Sequence, residues 1–66
     1  MRVTVNGDTR DCGEDLTVAA LLEDLKLGSR PCAVEVNRQI VPRRNHALHG
    51  LRDGDAIEIV TLVGGG

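Results

Sequence analysis

Polar and apolar residues alternate over Arg2-Val3-Thr4-Val5, the two-residue period of a strand with one buried face. Asn6-Gly7 follows, a pair suited to a tight turn because both residues tolerate positive φ, and it predicts a hairpin returning over Thr9–Cys12. Gly13-Glu14-Asp15 breaks the pattern. The period then lengthens: Val18, Leu21, Leu22 and Leu25 stand at i, i+3, i+4 and i+7, one face of a helix of about ten residues. Thr17 is placed to cap it, Glu14 and Asp15 favour its positive end, and Gly28 supplies a C-terminal stop. Alternation returns at Cys32, Val34 and Val36. Asn37-Arg38-Gln39 reads as a turn into Ile40-Val41-Pro42, a short strand that Pro42 confines to an edge or an end. The segment from Arg43 to Leu51 is polar, with Leu48 and Leu51 as its expected anchors to the core. Asp53-Gly54-Asp55 is a turn, and Ala56 to Val63 is the longest strand.

The resulting order is β-β-α-β-β-β. A helix this short cannot stand alone and must pack on the sheet. A right-handed crossover then sets the first and last strands side by side and parallel at the sheet centre. That arrangement is the α+β fold called β-grasp, or ubiquitin-like: about five mixed strands packed on one α-helix. Residues 1–63 form its single domain, and 64–66 a flexible glycine tail. In the last strand Ile57 and Ile59 share one face, while Glu58, Val60 and Leu62 share the other. Val60 and Leu62 either form a partner-docking surface or tuck under the 43–51 segment; the pattern leaves both open.

Composition narrows the function. A chain of 66 residues buries a thin core and has no room for a deep catalytic cleft. There is no Phe, Tyr or Trp, so the base-stacking platforms of single-strand nucleic-acid binders are missing. Eight Lys and Arg stand against ten Asp and Glu, giving no general field for DNA, RNA or an anionic membrane. Locally, Arg38, Arg43, Arg44 and Arg52 make a basic stretch, and residues 8–15 are mostly acidic. No apolar run reaches a membrane span and the start has no leader-like apolar core, so a cytoplasmic setting with reduced thiols is expected. Cys12 and Cys32 are then small hydrophobes rather than nucleophiles.

Neither metal chemistry nor catalysis finds its residues. His46 and His49, with Cys12 and Cys32, match no common zinc spacing, and the histidines read as two exposed residues of a polar loop. No nucleophile elbow or phosphate loop is present, and Asp53 and Asp55 read as turn-shaping residues. No catalytic residue, bound cofactor or metal is assigned. What remains is Val63-Gly64-Gly65-Gly66. Glycine has no Cβ, so such a segment can enter a passage too narrow for other residues. Its carboxylate is inert until a partner converts it to an acyl-adenylate.

The chain resembles the ThiS family, the sulfur carrier proteins of thiamin biosynthesis, along its whole length. The resemblance is carried by 17–22 (Thr-Val-Ala-Ala-Leu-Leu), by 36–43 (Val-Asn-Arg-Gln-Ile-Val-Pro-Arg), and by 53–60 (Asp-Gly-Asp-Ala-Ile-Glu-Ile-Val) leading into the glycines. It implies that Gly66 is adenylated by an E1-like enzyme using ATP and magnesium. Sulfur from a cysteine desulfurase or another donor would make the thiocarboxylate, and thiazole synthase would receive it. Gly64 and Gly65 would allow entry into partner sites. The small subunit of molybdopterin synthase is similar in fold and tail chemistry, but Val60-Thr61-Leu62-Val63 favours the thiamin branch. A non-covalent β-grasp interaction module and a ubiquitin-like protein modifier share the same fold and also stay open on these residues.

Overall fold

The computed structural model describes residues 1–62. Two hairpins and one long strand build a single five-stranded sheet, with one helix packed across it. The strands are β1 (Arg2–Val5), β2 (Asp8–Asp11), β3 (Cys32–Val36), β4 (Gln39–Val41) and β5 (Ala56–Thr61), in the spatial order β2-β1-β5-β3-β4. β5 is central, parallel to β1 and antiparallel to β3; the other neighbours are antiparallel. This is the expected β-grasp arrangement, with first and last strands adjacent and parallel.

Register explains the core. Val34 lies opposite both Val41 and Ile59, Val36 opposite Ile57, and Val5 opposite Ile57, so the alternating residues of four strands meet on one face. Val18, Leu21 and Leu22 of the helix close over them, and Val3 and Leu51 complete the buried set. Cys12, Cys32 and Leu25 are half-buried against it, as small or peripheral apolar groups.

The helix, α1 (Val18–Asp24), is shorter than expected. Thr17 caps it as predicted, its hydroxyl oxygen accepting from the Ala20 N–H at 3.1 Å. The stop is not at Gly28. Leu27 N–H donates to Leu22 C=O and Lys26 N–H to Glu23 C=O, the paired bonds of a Schellman ending, with Lys26 at φ 61° in the position glycine usually takes. Burying Leu22 and Leu27 across that ending favours it over the later glycine. Small shifts occur elsewhere: β2 begins at Asp8 rather than Thr9, β4 ends before Pro42, and β5 is described to Thr61, Val63 lying outside the described residues.

The 43–51 segment reverses two expectations. Leu48 is 82% exposed and anchors nothing, while His46 is only 7% exposed. The reason is geometric. A short 3-10 turn over Arg43–Asn45 aims His46 inward, where its Nε2–H donates to Val41 C=O at 3.0 Å. The carbonyls of His46 and His49 then accept from the Ala19 and Val18 N–H groups. A helix start has free N–H donors, and here loop carbonyls satisfy them. The loop is thus held by hydrogen bonds at the helix start and by Leu51, leaving Leu48 outside.

A candidate site at the end of the central strand

β5 is held from both sides. On the β1 side, Thr4 N–H donates to Asp55 C=O and Asn6 N–H to Ile57 C=O. The Asn6 side chain then extends the ladder: its Oδ1 accepts from Ile59 N–H at 2.8 Å and its Nδ2 donates to Ile59 C=O at 3.1 Å. A side-chain amide here does what another residue of β1 would do. On the β3 side five residue pairs run from Val36↔Ile57 to Cys32↔Thr61, and Leu62 N–H donates to Pro31 C=O at 2.9 Å. The chain is therefore positioned to Leu62, the last residue described. The functional assignments to Gly64, Gly65 and Gly66 lie outside the described residues.

Around this root the open face of the sheet is apolar at its edge. Val60 is 59% and Leu62 53% exposed, so neither tucks under the 43–51 segment. Ala33 lies directly opposite Val60, and Ile40, 75% exposed, lies opposite Glu35. Ala33, Glu35 and Ile40 were not singled out by the sequence. Alternation puts each on an outward face, but only the register sets Ala33 beside Val60 and Ile40 beside Glu35.

The other candidates do not assemble. Cys12 sits on the β2 side, its N–H donating to Met1 C=O, while Cys32 lies three strands away beside Thr61. His46 is committed to Val41, and among the described residues no group of three His, Cys, Asp or Glu side chains could hold a metal ion. Asp53 and Asp55 shape the chain as expected: Asp53 Oδ1 accepts from Arg2 N–H at 2.7 Å, and Asp55 accepts from Arg52 N–H and Asn37 Nδ2. At the opposite edge Arg2 Nε–H donates to Asp11 at 2.9 Å; that hydrogen bond, then the attraction of the guanidinium, holds the Asp11 carboxyl below its ordinary range. No helix among the described residues is long and apolar enough to cross a membrane.

Fold and site together define a β-grasp domain whose central strand is held up to Leu62 beside an exposed apolar edge, with Gly-Gly-Gly following in the sequence. The model of the ThiS family matches residues 3–66, and the chain belongs to that family, the sulfur carriers of thiamine biosynthesis. It is 36% identical to the sulfur carrier protein ThiS of Escherichia coli K12 over 66 residues, the whole of both chains. It is 44% identical over its full length to a thiazole synthase of Paramagnetospirillum magneticum, of which it spans only 20%. Among solved structures, the thiamine biosynthesis protein ThiS of Geobacter metallireducens superposes over the whole of both chains with a TM-score of 0.84 at 35% identity.

Proposed function

We propose that this protein carries sulfur as a thiocarboxylate on Gly66 and delivers it to thiazole synthase. Family membership supports the carrier role, and the observation that carries the reading is the anchoring of the chain up to Leu62, with one residue, Val63, between it and three glycines in the sequence. The carboxylate oxygen of Gly66 attacks the α-phosphorus of ATP in an E1-like partner that uses magnesium, and pyrophosphate leaves. A hydrosulfide equivalent, from a cysteine desulfurase or another donor, attacks the acyl carbon. The bond to AMP breaks, and the product is a thiocarboxylate at the same oxidation level. Its sulfur, like a thiolate, is a soft nucleophile. The carrier is a co-substrate of its partners rather than an enzyme, and neither ATP nor magnesium is assigned to its own residues. Thiazole synthase as the acceptor is supported by the relative of that name, which contains a segment similar to this whole chain.

Threading three glycines orders them at roughly 1–2 kcal/mol per residue, so the folded domain must contribute docking energy. Val60 and Leu62 are the proposed docking residues. Charging either weakens partner binding without unfolding the domain; loss of the fold would instead show a core role. The direct test is intact mass after incubation with a thiamin-pathway adenylating enzyme, magnesium ATP and sulfide. Exchange of one oxygen for one sulfur is expected, and a variant lacking Gly65 and Gly66 should show none. An unchanged mass, with an enzyme proven active on another carrier, would overturn the reading.

A further inference from the structure

The open face holds an arrangement that works against the stability of the fold. Glu35 of β3 and Glu58 of β5 are direct cross-strand partners at the middle of the sheet, both on the face away from the helix. Like charges in directly opposed positions destabilise a sheet. Among the described residues neither carboxylate has an ion-pair partner: the pairs present are Met1 with Glu14 and Arg2 with Asp11, both at the opposite edge. On one side the row beyond the pair is polar, Asn37 beside Ala56 and bonded to Asp55; toward Leu62 and the far strand the neighbours are apolar. Ile40 lies opposite Glu35 on the far strand, and Ala33 and Val60 form the next outward-facing row toward Leu62.

We infer that this acidic pair, framed by Ile40, Ala33 and Val60, is the polar centre of the carrier's docking surface. Its partner is a protein surface that presents one arginine or lysine from within an apolar patch. The inference rests on the proposed function, because the enzymes that take the tail are the ones that meet the face beside its root. Charge complementarity selects a basic partner. A single cation set over Glu35 and Glu58 removes their repulsion and attracts both. The apolar frame excludes water around the three charges, which strengthens the attraction over that of an exposed pair. A carrier binding through Val60 and Leu62 alone would have no use for two opposed carboxylates. Glutamine at either position would serve the sheet better.

This yields two readouts of opposite sign. Glu35→Gln, Glu58→Gln and the double variant should each unfold at higher urea than the parent, because repulsion is relieved. The same variants should bind more weakly to a purified thiamin-pathway adenylating enzyme or to purified thiazole synthase, measured separately. The expected loss for the double variant is at least about tenfold with one or both enzymes, as for truncating a desolvated charge pair. Glu58→Lys should lose more. A double variant within twofold of the parent for both enzymes would overturn the inference, as would Gln variants less stable than the parent. If the unmodified carrier binds neither enzyme, the functional reading itself fails, an outcome distinguished by the parent chain alone.

Discussion

The two hairpin turns are built alike and used differently. Both have two-residue loops opening on asparagine with nearly the same φ, 51° at Asn6 and 52° at Asn37. Both are followed by a second residue at positive φ, as the right-handed twist of hairpin strands requires. Both asparagines also turn their side chains onto β5 rather than their own hairpin. Asn37 works at the start of the strand through exposed bonds, its Oδ1 accepting from Ala56 N–H and its Nδ2 donating to the Asp55 carboxylate. Asn6, itself exposed, works further on through part-buried bonds, satisfying both the N–H and the C=O of the buried Ile59. The first turn ends in glycine at φ 87°, whereas the second places Arg38 at φ 68°. The turn supporting the path toward the tail is thus free of strain at its second residue, and the turn supporting the exposed strand start tolerates it.

Replacing each asparagine by glycine, which keeps the positive φ, separates the two clamps. Asn6→Gly should lose about 2 kcal/mol, since two part-buried peptide groups are left without partners. Asn37→Gly should lose less than about 1 kcal/mol, because water replaces its exposed bonds. Equal losses would break the comparison. Urea unfolding followed by far-UV circular dichroism is the measurement, the chain having no aromatic side chain for fluorescence.

Next in size are the second turn residues. Nothing lies within 4 Å of a Cβ built on Gly7, so Gly7→Ala isolates the strain of its φ and should lose about 1 kcal/mol. Arg38→Gly should gain about 0.5 kcal/mol, the relief of strain being partly offset by the freedom glycine adds to the unfolded chain. A loss at Arg38→Gly would show that the guanidinium makes a contribution the backbone geometry does not reveal.

The smallest effect lies at the sheet edge that neither asparagine reaches. The Asp11 carboxyl is lowered from 3.8 by Arg2, so the stability of that pair is present above the ordinary carboxylate range and is lost as pH falls through the lowered value. Arg2→Gln should therefore differ from the parent at neutral pH and converge with it in acid. Both groups are fully exposed, so the difference should also shrink with added salt. A gap that persists in acid would show that Arg2 acts through packing rather than charge.

Much of the fold is legible in the chain alone. The period of two over Val3–Val5, Cys32–Val36 and Ile57–Ile59, the period of 3.6 over Val18–Leu25 and the Asn6-Gly7 turn each need only neighbouring residues, and each falls within a few positions of its element. Parity alone marks Val60 and Leu62 as candidates. Composition marks the glycines, and their chemistry comes from the family resemblance. The departures are of another kind. Hydropathy ranks Leu48 inside and His46 outside. The fold reverses them because His46 finds Val41 C=O and the helix start needs the loop's carbonyls. Gly28 is the natural stop for the helix, yet the Leu22–Leu27 ending closes it earlier at a lysine.

By itself, then, the sequence determined the elements, their order, the buried stripe of each and the run of glycines, because period and turn geometry are properties of consecutive residues. Only the tertiary structure decided that two turn asparagines clamp β5, that a histidine closes the base of the helix, and that Glu35 faces Glu58 beside Val60. Those depend on register between segments far apart in the chain. Register is set by which apolar residues can share one core, and that requirement belongs to the whole fold rather than to any stretch of it.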